Sequence, residues 1–174
     1  MLNGAGDVSP ADFGDLEAPD GGNAFGNELI EVDDIRSMDP DAFEAFCALL
    51  WSKRGYSRTI KTPRSGDGGV DVLAIRGLEG VVIQCKSSSV EGRELGWEAV
   101  KDVAAGVVAY AQRHPGVVFS MVAATNQSFN ATARQQAKTL HVELVDGDDL
   151  EVLLAKHPVK RGELEGFLLA SWAS

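Results

Sequence analysis

The chain lacks several features that would settle its class at once. No apolar run approaches the ~20 residues of a membrane-spanning helix, and Met1 to Asp20 has neither the basic start nor the apolar middle of a secretory signal. Cysteine is scarce. Cys47 and Cys85 are the only two, both in apolar surroundings and without metal-ligand spacing, so they read as reduced core thiols of a cytoplasmic protein. There is no G-x-x-x-x-G-K-[ST] loop, which argues against nucleotide hydrolysis. His114, His141 and His157 fall beside strand or helix ends, and none sits next to a serine or cysteine with the partners a hydrolytic triad needs.

Basic charge is also short. The net charge is −10, which at first argues against a polyanionic partner. The deficit is local, however. Residues 1–36 hold nine acids against Arg36 alone, whereas Trp51 to Gly66 holds Lys53, Arg54, Arg58, Lys61 and Arg64 and no acid. Residues 1–36 also contain six glycines and little periodicity, and they read as a mobile acidic arm. A sharper expectation is that the arm imitates a nucleic-acid backbone and covers the basic stretch. With 174 residues, 44% of them hydrophobic, the rest suits one soluble domain over 37–158. Residues 159–174 form a C-terminal tail.

Asp39-Pro40-Asp41 has the form of a helix start: a capping acid, a proline at the first helical position and an acid suited to the helix dipole. Phe43, Phe46, Cys47 and Leu50 then recur at helical spacing, the helix should end at Gly55, and Glu44 lies at the edge of its apolar stripe. Tyr56–Lys61 suits a first strand. Val70–Ile75 and Val81–Ile83 suit two more, with Gly77-Leu78-Glu79-Gly80 as the turn between them. Gly92–Arg113 carries a helical stripe that includes Leu95. Val117–Ala124 suits a strand buried on both faces and parallel to the hairpin's second strand. A polar loop over 125–128, a helix capped by Asn130, a strand at Val142–Val145 and a helix from Asp146 to Lys156 complete the order. The class is α/β: a mixed central sheet flanked by helices.

The hairpin carries the chemistry. A turn centred on Leu78 and Glu79 would place Asp71 opposite Lys86 and Leu73 opposite Gln84. Strand alternation puts Gln84 and Lys86 on one face. Gly66, Gly68 and Gly69 just before Asp71 allow a backbone to approach a ligand closely. Glu44, Asp71, Gln84 and Lys86 thus offer oxygen donors beside a cation. Hard oxygen donors suit Mg²⁺ or Mn²⁺. Such an ion polarises a phosphoryl oxygen and acidifies bound water, and an ammonium offsets developing charge. Phosphodiester hydrolysis is the reaction that fits. The ordinary reading of Asp71, Gln84 and Lys86 is an ion pair and an exposed amide at the end of a hairpin.

Phe43-Glu44, Gly66-Asp67-Gly68-Gly69-Val70-Asp71, Ile83-Gln84-Cys85-Lys86 and the block from Phe129 to Leu150 resemble the catalytic domain of Mrr-like restriction endonucleases, of the PD-(D/E)XK nuclease superfamily. The resemblance runs from about Pro40 to Leu154. It implies a restriction-endonuclease-like αβββαβ core and Mg²⁺-dependent (or Mn²⁺-dependent) DNA cleavage that leaves a 5′-phosphate. By it, Asp71 is the main metal ligand, Gln84 stands where many relatives carry an acid, Lys86 is the catalytic lysine and Glu44 the helix acid. The Cys85 backbone carbonyl is a further metal ligand. Lys53, Arg58, Lys61 and Arg64, with Ser87 beyond the lysine, are the DNA-contact candidates. Ser87-Ser88-Ser89 replaces the basic and aromatic residues typical of that position. With no separate recognition domain in view, methylation-dependent restriction does not follow. A homodimer, a separate recognition subunit, a junction resolvase and a non-catalytic DNA-binding subunit all stay open.

Overall fold

A computed structural model describes residues 24–63 and 68–172. Its centre is a five-stranded sheet in the order β1-β2-β3-β5-β7, built from β1 (Arg58–Lys61), β2 (Val72–Arg76), β3 (Glu79–Lys86), β5 (Val118–Thr125) and β7 (Val142–Val145). The first three strands form an antiparallel meander, and β3, β5 and β7 run parallel. Two short strands, β4 (Glu94–Leu95) and β6 (Ser128–Phe129), pair separately. Helices α1 (Val32–Ser37), α2 (Pro40–Lys53), α3 (Glu98–Arg113), α4 (Ala131–Leu140), α5 (Gly147–Lys156) and α6 (Arg161–Trp172) cover the sheet. The run α2-β1-β2-β3-α3-β5 is the expected αβββαβ core.

Sequence dictates much of this directly. Asp39 caps α2 by accepting from the Ala42 amide at 2.8 Å, an interaction worth about 1 kcal/mol. Pro40 opens the helix, and Gly55 closes the turn beyond it at φ 94°. Phe43, Phe46, Cys47 and Leu50 are fully buried, as the helical stripe predicts. Each such large apolar side chain stabilises the fold by roughly 1.5–3 kcal/mol. They pack on the sheet face that carries Val72, Ala74, Val81, Ile83 and Cys85, together with Leu150 and Leu154 of α5. The opposite face, with Leu73, Val82 and Ala123, receives Val100 and Val103 of α3 and Ala133 and Ala137 of α4.

Several expectations are corrected. The hairpin turn lies at Gly77-Leu78, not Leu78-Glu79, because Gly77 alone supplies the positive φ (59°) that a two-residue turn matching strand twist requires. Arg76 therefore faces Glu79 and Val72 faces Ile83. The register is shifted by two residues, an even number, so every side chain keeps its face. Leu95 belongs to β4 and pairs with Phe129, and α3 begins only at Glu98. β5 is buried only from Val122 onward, and Val118 is 76% exposed.

The arm and the tail also enter the fold. Ile30 and Ile35 are buried, and Leu29 bridges to Lys160. Arg161 of α6 reaches Asp34 at 2.6 Å, and Lys53 reaches Glu163 at 2.5 Å. Residues 24–37 and 159–172 therefore clasp one another over α2. Residues 1–23, with most of the acidic arm, lie outside the described residues, as do Arg64 and Gly66-Asp67. Among the described residues no helix is long and apolar enough to cross a membrane.

Candidate active site

β3 continues three residues beyond Ile83, the partner of the first residue of β2. Asp71 stands where β2 stops covering it. Its backbone is held on both sides: its amide donates to Ile83 at 2.8 Å, and its carbonyl accepts from Thr62 at 2.8 Å. Its carboxylate turns back onto the overhang. Oδ2 accepts from the Cys85 amide at 2.7 Å and from Gln84 Nε2 at 2.6 Å. A carboxylate oxygen cannot donate, so the amide nitrogen must face Asp71, which leaves Gln84 Oε1 aimed elsewhere. That oxygen is buried and meets no hydrogen-bond donor among the described residues. A buried acceptor left so costs about 1–3 kcal/mol, which points to an electrophilic partner.

Gln84 is 5% exposed, and strand alternation directs it, like Lys86, to the α3 side of the sheet. Lys86 lies at the strand end, 45% exposed, with Nζ 4.0 Å from Asp102 Oδ2 on α3. Cys85 faces the other way, into the core beside Cys47. The adjoining Cys47 thiol and burial push its thiol pKa well above the ordinary range. The Cys85 side chain is thus a neutral core thiol, and the residue meets the site through its backbone, the amide on Asp71 and the carbonyl beside Gln84. That carbonyl receives a long contact of 3.4 Å from Gln84 Nε2.

Glu44 approaches from α2. Burial and, next, the charge of Asp71 raise its pKa, and Lys61 partly offsets both. Lys61 Nζ lies 3.3 Å from Glu44 and is also paired with Asp41. The Lys61 side chain is only 11% exposed, enclosed by these two acids. Lys53 is likewise engaged, with Glu163. Arg58 is exposed at the far end of β1, opposite Ile75. Ser87 is half-buried directly after Lys86. The expected basic strip is therefore divided, and the position of Arg64 lies outside the described residues.

Asn126 escaped the sequence reading. The loop over 125–128, expected to be an ordinary polar connection, begins with Thr125 and Asn126 buried. Asn126 Nδ2 donates to Ile35, Arg36 and Ser88 carbonyls at 3.1–3.2 Å, and its Oδ1 accepts from the Ser88 amide at 2.9 Å. Gln127 Nε2 adds a bond to the Ser88 carbonyl at 2.8 Å. Together they pin the segment that leaves the lysine strand. The buried polar pair Thr125-Asn126 after an apolar strand is the signal that marks it.

The donor set fits a hard divalent cation. Asp71, the Gln84 amide oxygen, the Cys85 carbonyl and, from α2, Glu44 are all oxygen donors, and the orphaned Gln84 oxygen is the specific mark. Among the described residues no cluster of three or more His, Cys, Asp or Glu side chains forms a metal site.

This geometry meets a family match: residues 35–154 fit the Mrr catalytic-domain family, restriction endonuclease, and the chain belongs to it. No curated protein matches the chain. Among solved structures, AF1548, a protein of unknown function, is similar at 20% identity and a TM-score of 0.56, covering 68% of this chain and 66% of its own. This chain thus spans about two thirds of that protein. The small subunit R.BspD6I2 of the heterodimeric restriction endonuclease R.BspD6I is similar at 14% identity and a TM-score of 0.52, with 80% and 84% covered. The MspJI restriction endonuclease, solved with a 27-mer oligonucleotide, shows 21% identity and a TM-score of 0.49, covering 77% of this chain and 32% of that one. The likeness to the R.BspD6I small subunit, together with the family match, places the chain in the restriction-endonuclease fold.

Proposed function

We propose that the chain is a metal-dependent DNA endonuclease that hydrolyses phosphodiester bonds, with its site at the overhang of β3. The observation that carries this reading is the Asp71–Gln84 pair, a carboxylate clamped by two donors beside a buried amide oxygen that has no hydrogen-bond partner among the described residues. Asp71, Gln84 Oε1 and the Cys85 carbonyl would hold Mg²⁺ or Mn²⁺, with Glu44 joining them from α2. When bound, the ion supplies Lewis acidity and a more acidic water at the phosphate.

The protein's own groups do the rest. The Cys85 amide and Gln84 Nε2 fix the Asp71 carboxylate in one orientation, so little reorganisation is left for the reaction. Lys86, exposed at the strand end, places an ammonium where charge develops on the phosphate oxygens and where it can orient the attacking water. Lys61 holds Glu44 in place and moderates the repulsion between Glu44 and Asp71. Arg58 and Ser87 are left as backbone contacts, which add salt-sensitive affinity without reading sequence.

The test is cleavage of supercoiled, linear and four-way-junction DNA by purified protein with Mg²⁺ or Mn²⁺. Strand scission that chelator abolishes, and that Asp71→Ala and Lys86→Ala each abolish with DNA binding retained, supports the reading. Protein that binds DNA but cuts none of these substrates with either metal contradicts it.

A further inference from the structure

The face of α3 that meets the site is set by two residues one helical turn apart, Asp102 and Gly106. A Cβ on Gly69 would lie 2.8 Å from the Asp102 carbonyl oxygen and 2.9 Å from the Asp102 Cβ. A Cβ on Gly106 would lie 2.5 Å from the Gly68 carbonyl oxygen. The backbone of the Gly68-Gly69 segment therefore rests directly on the helix, and it leads within two residues to Asp71. The same Asp102 directs its carboxylate outward, with Oδ2 4.0 Å from Lys86 Nζ and Oδ1 3.8 Å from Lys101 Nζ. One helix residue thus touches both halves of the site, its backbone against the loop before Asp71 and its side chain toward the lysine.

An ion pair this exposed adds little to stability. Its effect is on position. Lys86 carries a flexible four-carbon stem whose ammonium would otherwise sample many rotamers. A neighbouring carboxylate confines it, while the packed glycines fix that carboxylate relative to Asp71. We propose that Asp102 is a positioning residue for Lys86, setting the ammonium at a defined distance from the Asp71 loop so that it meets the phosphate in one geometry. This rests on the nuclease reading above.

The experiment compares wild type, Asp102→Asn, Asp102→Glu and Lys101→Met on one DNA substrate. It measures kcat, KM, melting temperature and, by calorimetry, Mn²⁺ affinity. Asp102→Asn keeps the backbone contact and removes the charge. It should lower kcat about ten- to hundredfold, the cost of a misplaced reacting group, while KM, melting temperature and Mn²⁺ affinity stay near wild type. Asp102→Glu should recover most of the rate, and Lys101→Met should keep it. Wild-type kcat in Asp102→Asn overturns the proposal. So does a rate loss matched by weaker Mn²⁺ binding or lower melting temperature, no rescue by glutamate, or an equal loss in Lys101→Met. In each of these cases the wild type still cuts, so the nuclease reading survives. A wild type that cuts nothing sinks that reading and this proposal with it.

Discussion

Gln84 Nε2 donates to Asp71 Oδ2 across 2.6 Å, and the contact determines the polarity of the whole site. One end of the amide serves the carboxylate, and the other end is left as a buried oxygen without a donor among the described residues. Replacing the amide with a carboxylate tests this directly. Gln84→Glu would set two carboxylates at hydrogen-bond distance, so the metal-free protein should lose about 1–3 kcal/mol, the cost of a broken bond to a charged group. Divalent ions should then raise its melting temperature more than they raise that of wild type. Thermal melts with chelator and with Mg²⁺ give both numbers.

Asp71 has a structural part as well as a chemical one, because its carboxylate satisfies the Cys85 amide at 2.7 Å. Asp71→Ala should therefore cost about 1–3 kcal/mol of stability in addition to activity. Asp71→Asn, which keeps an acceptor oxygen for that amide, should be nearly as stable as wild type and equally inactive. Denaturant unfolding beside a cleavage assay separates the two effects.

Lys61 and Arg58 share a strand and should behave differently. Lys61→Met leaves Asp41 and Glu44 without their shared cation, so it should destabilise by about 1.5–3 kcal/mol, as for a charged hydrogen bond. It should leave the salt dependence of DNA binding unchanged. Arg58→Gln should do the reverse, lowering the log–log salt slope by about 0.9 if it contacts one phosphate. Binding titrations at several salt concentrations decide between them.

The clasp between α2 and α6 should weaken in acid. Hydrogen bonds from Lys53 and the Lys160 amide hold the Glu163 carboxyl below its usual 4.5. A depressed carboxylate pKa stabilises the folded state above the unfolded pKa, and that contribution is lost as pH falls through the folded value. Wild type should therefore lose stability as pH falls below about 4.5 by more than Glu163→Gln does. Thermal unfolding from pH 6 to pH 3 measures the difference.

Helix α2 was legible residue by residue, since capping acid, proline, apolar stripe and closing glycine each have a local cause. The convergence of Asp71 and Gln84 was legible from alternation, although the assumed register was wrong. A shift of two residues conserves faces, so the error did not scatter the site. What sequence could not show is tertiary. The setting of Lys61 is one such case, because the acids that enclose it come from a helix some twenty residues earlier in the chain. The role of Asn126 is equally hidden, because its four hydrogen bonds reach Ile35 and Arg36 on α1 and Ser88 beyond β3. The packing of α6 is another, since Leu164 and Phe167 find their surface only once α2 and residues 24–37 are in place.

The central claim is that the overhang of β3 and Asp71 grip one divalent ion. An anomalous-difference map from crystals soaked in Mn²⁺ measures it most directly. The account predicts a peak at coordination distance, about 2.0–2.2 Å, from an Asp71 carboxylate oxygen, Gln84 Oε1 and the Cys85 carbonyl, absent in Asp71→Ala. A peak that avoids these atoms, or that survives loss of the Asp71 carboxylate, would contradict it.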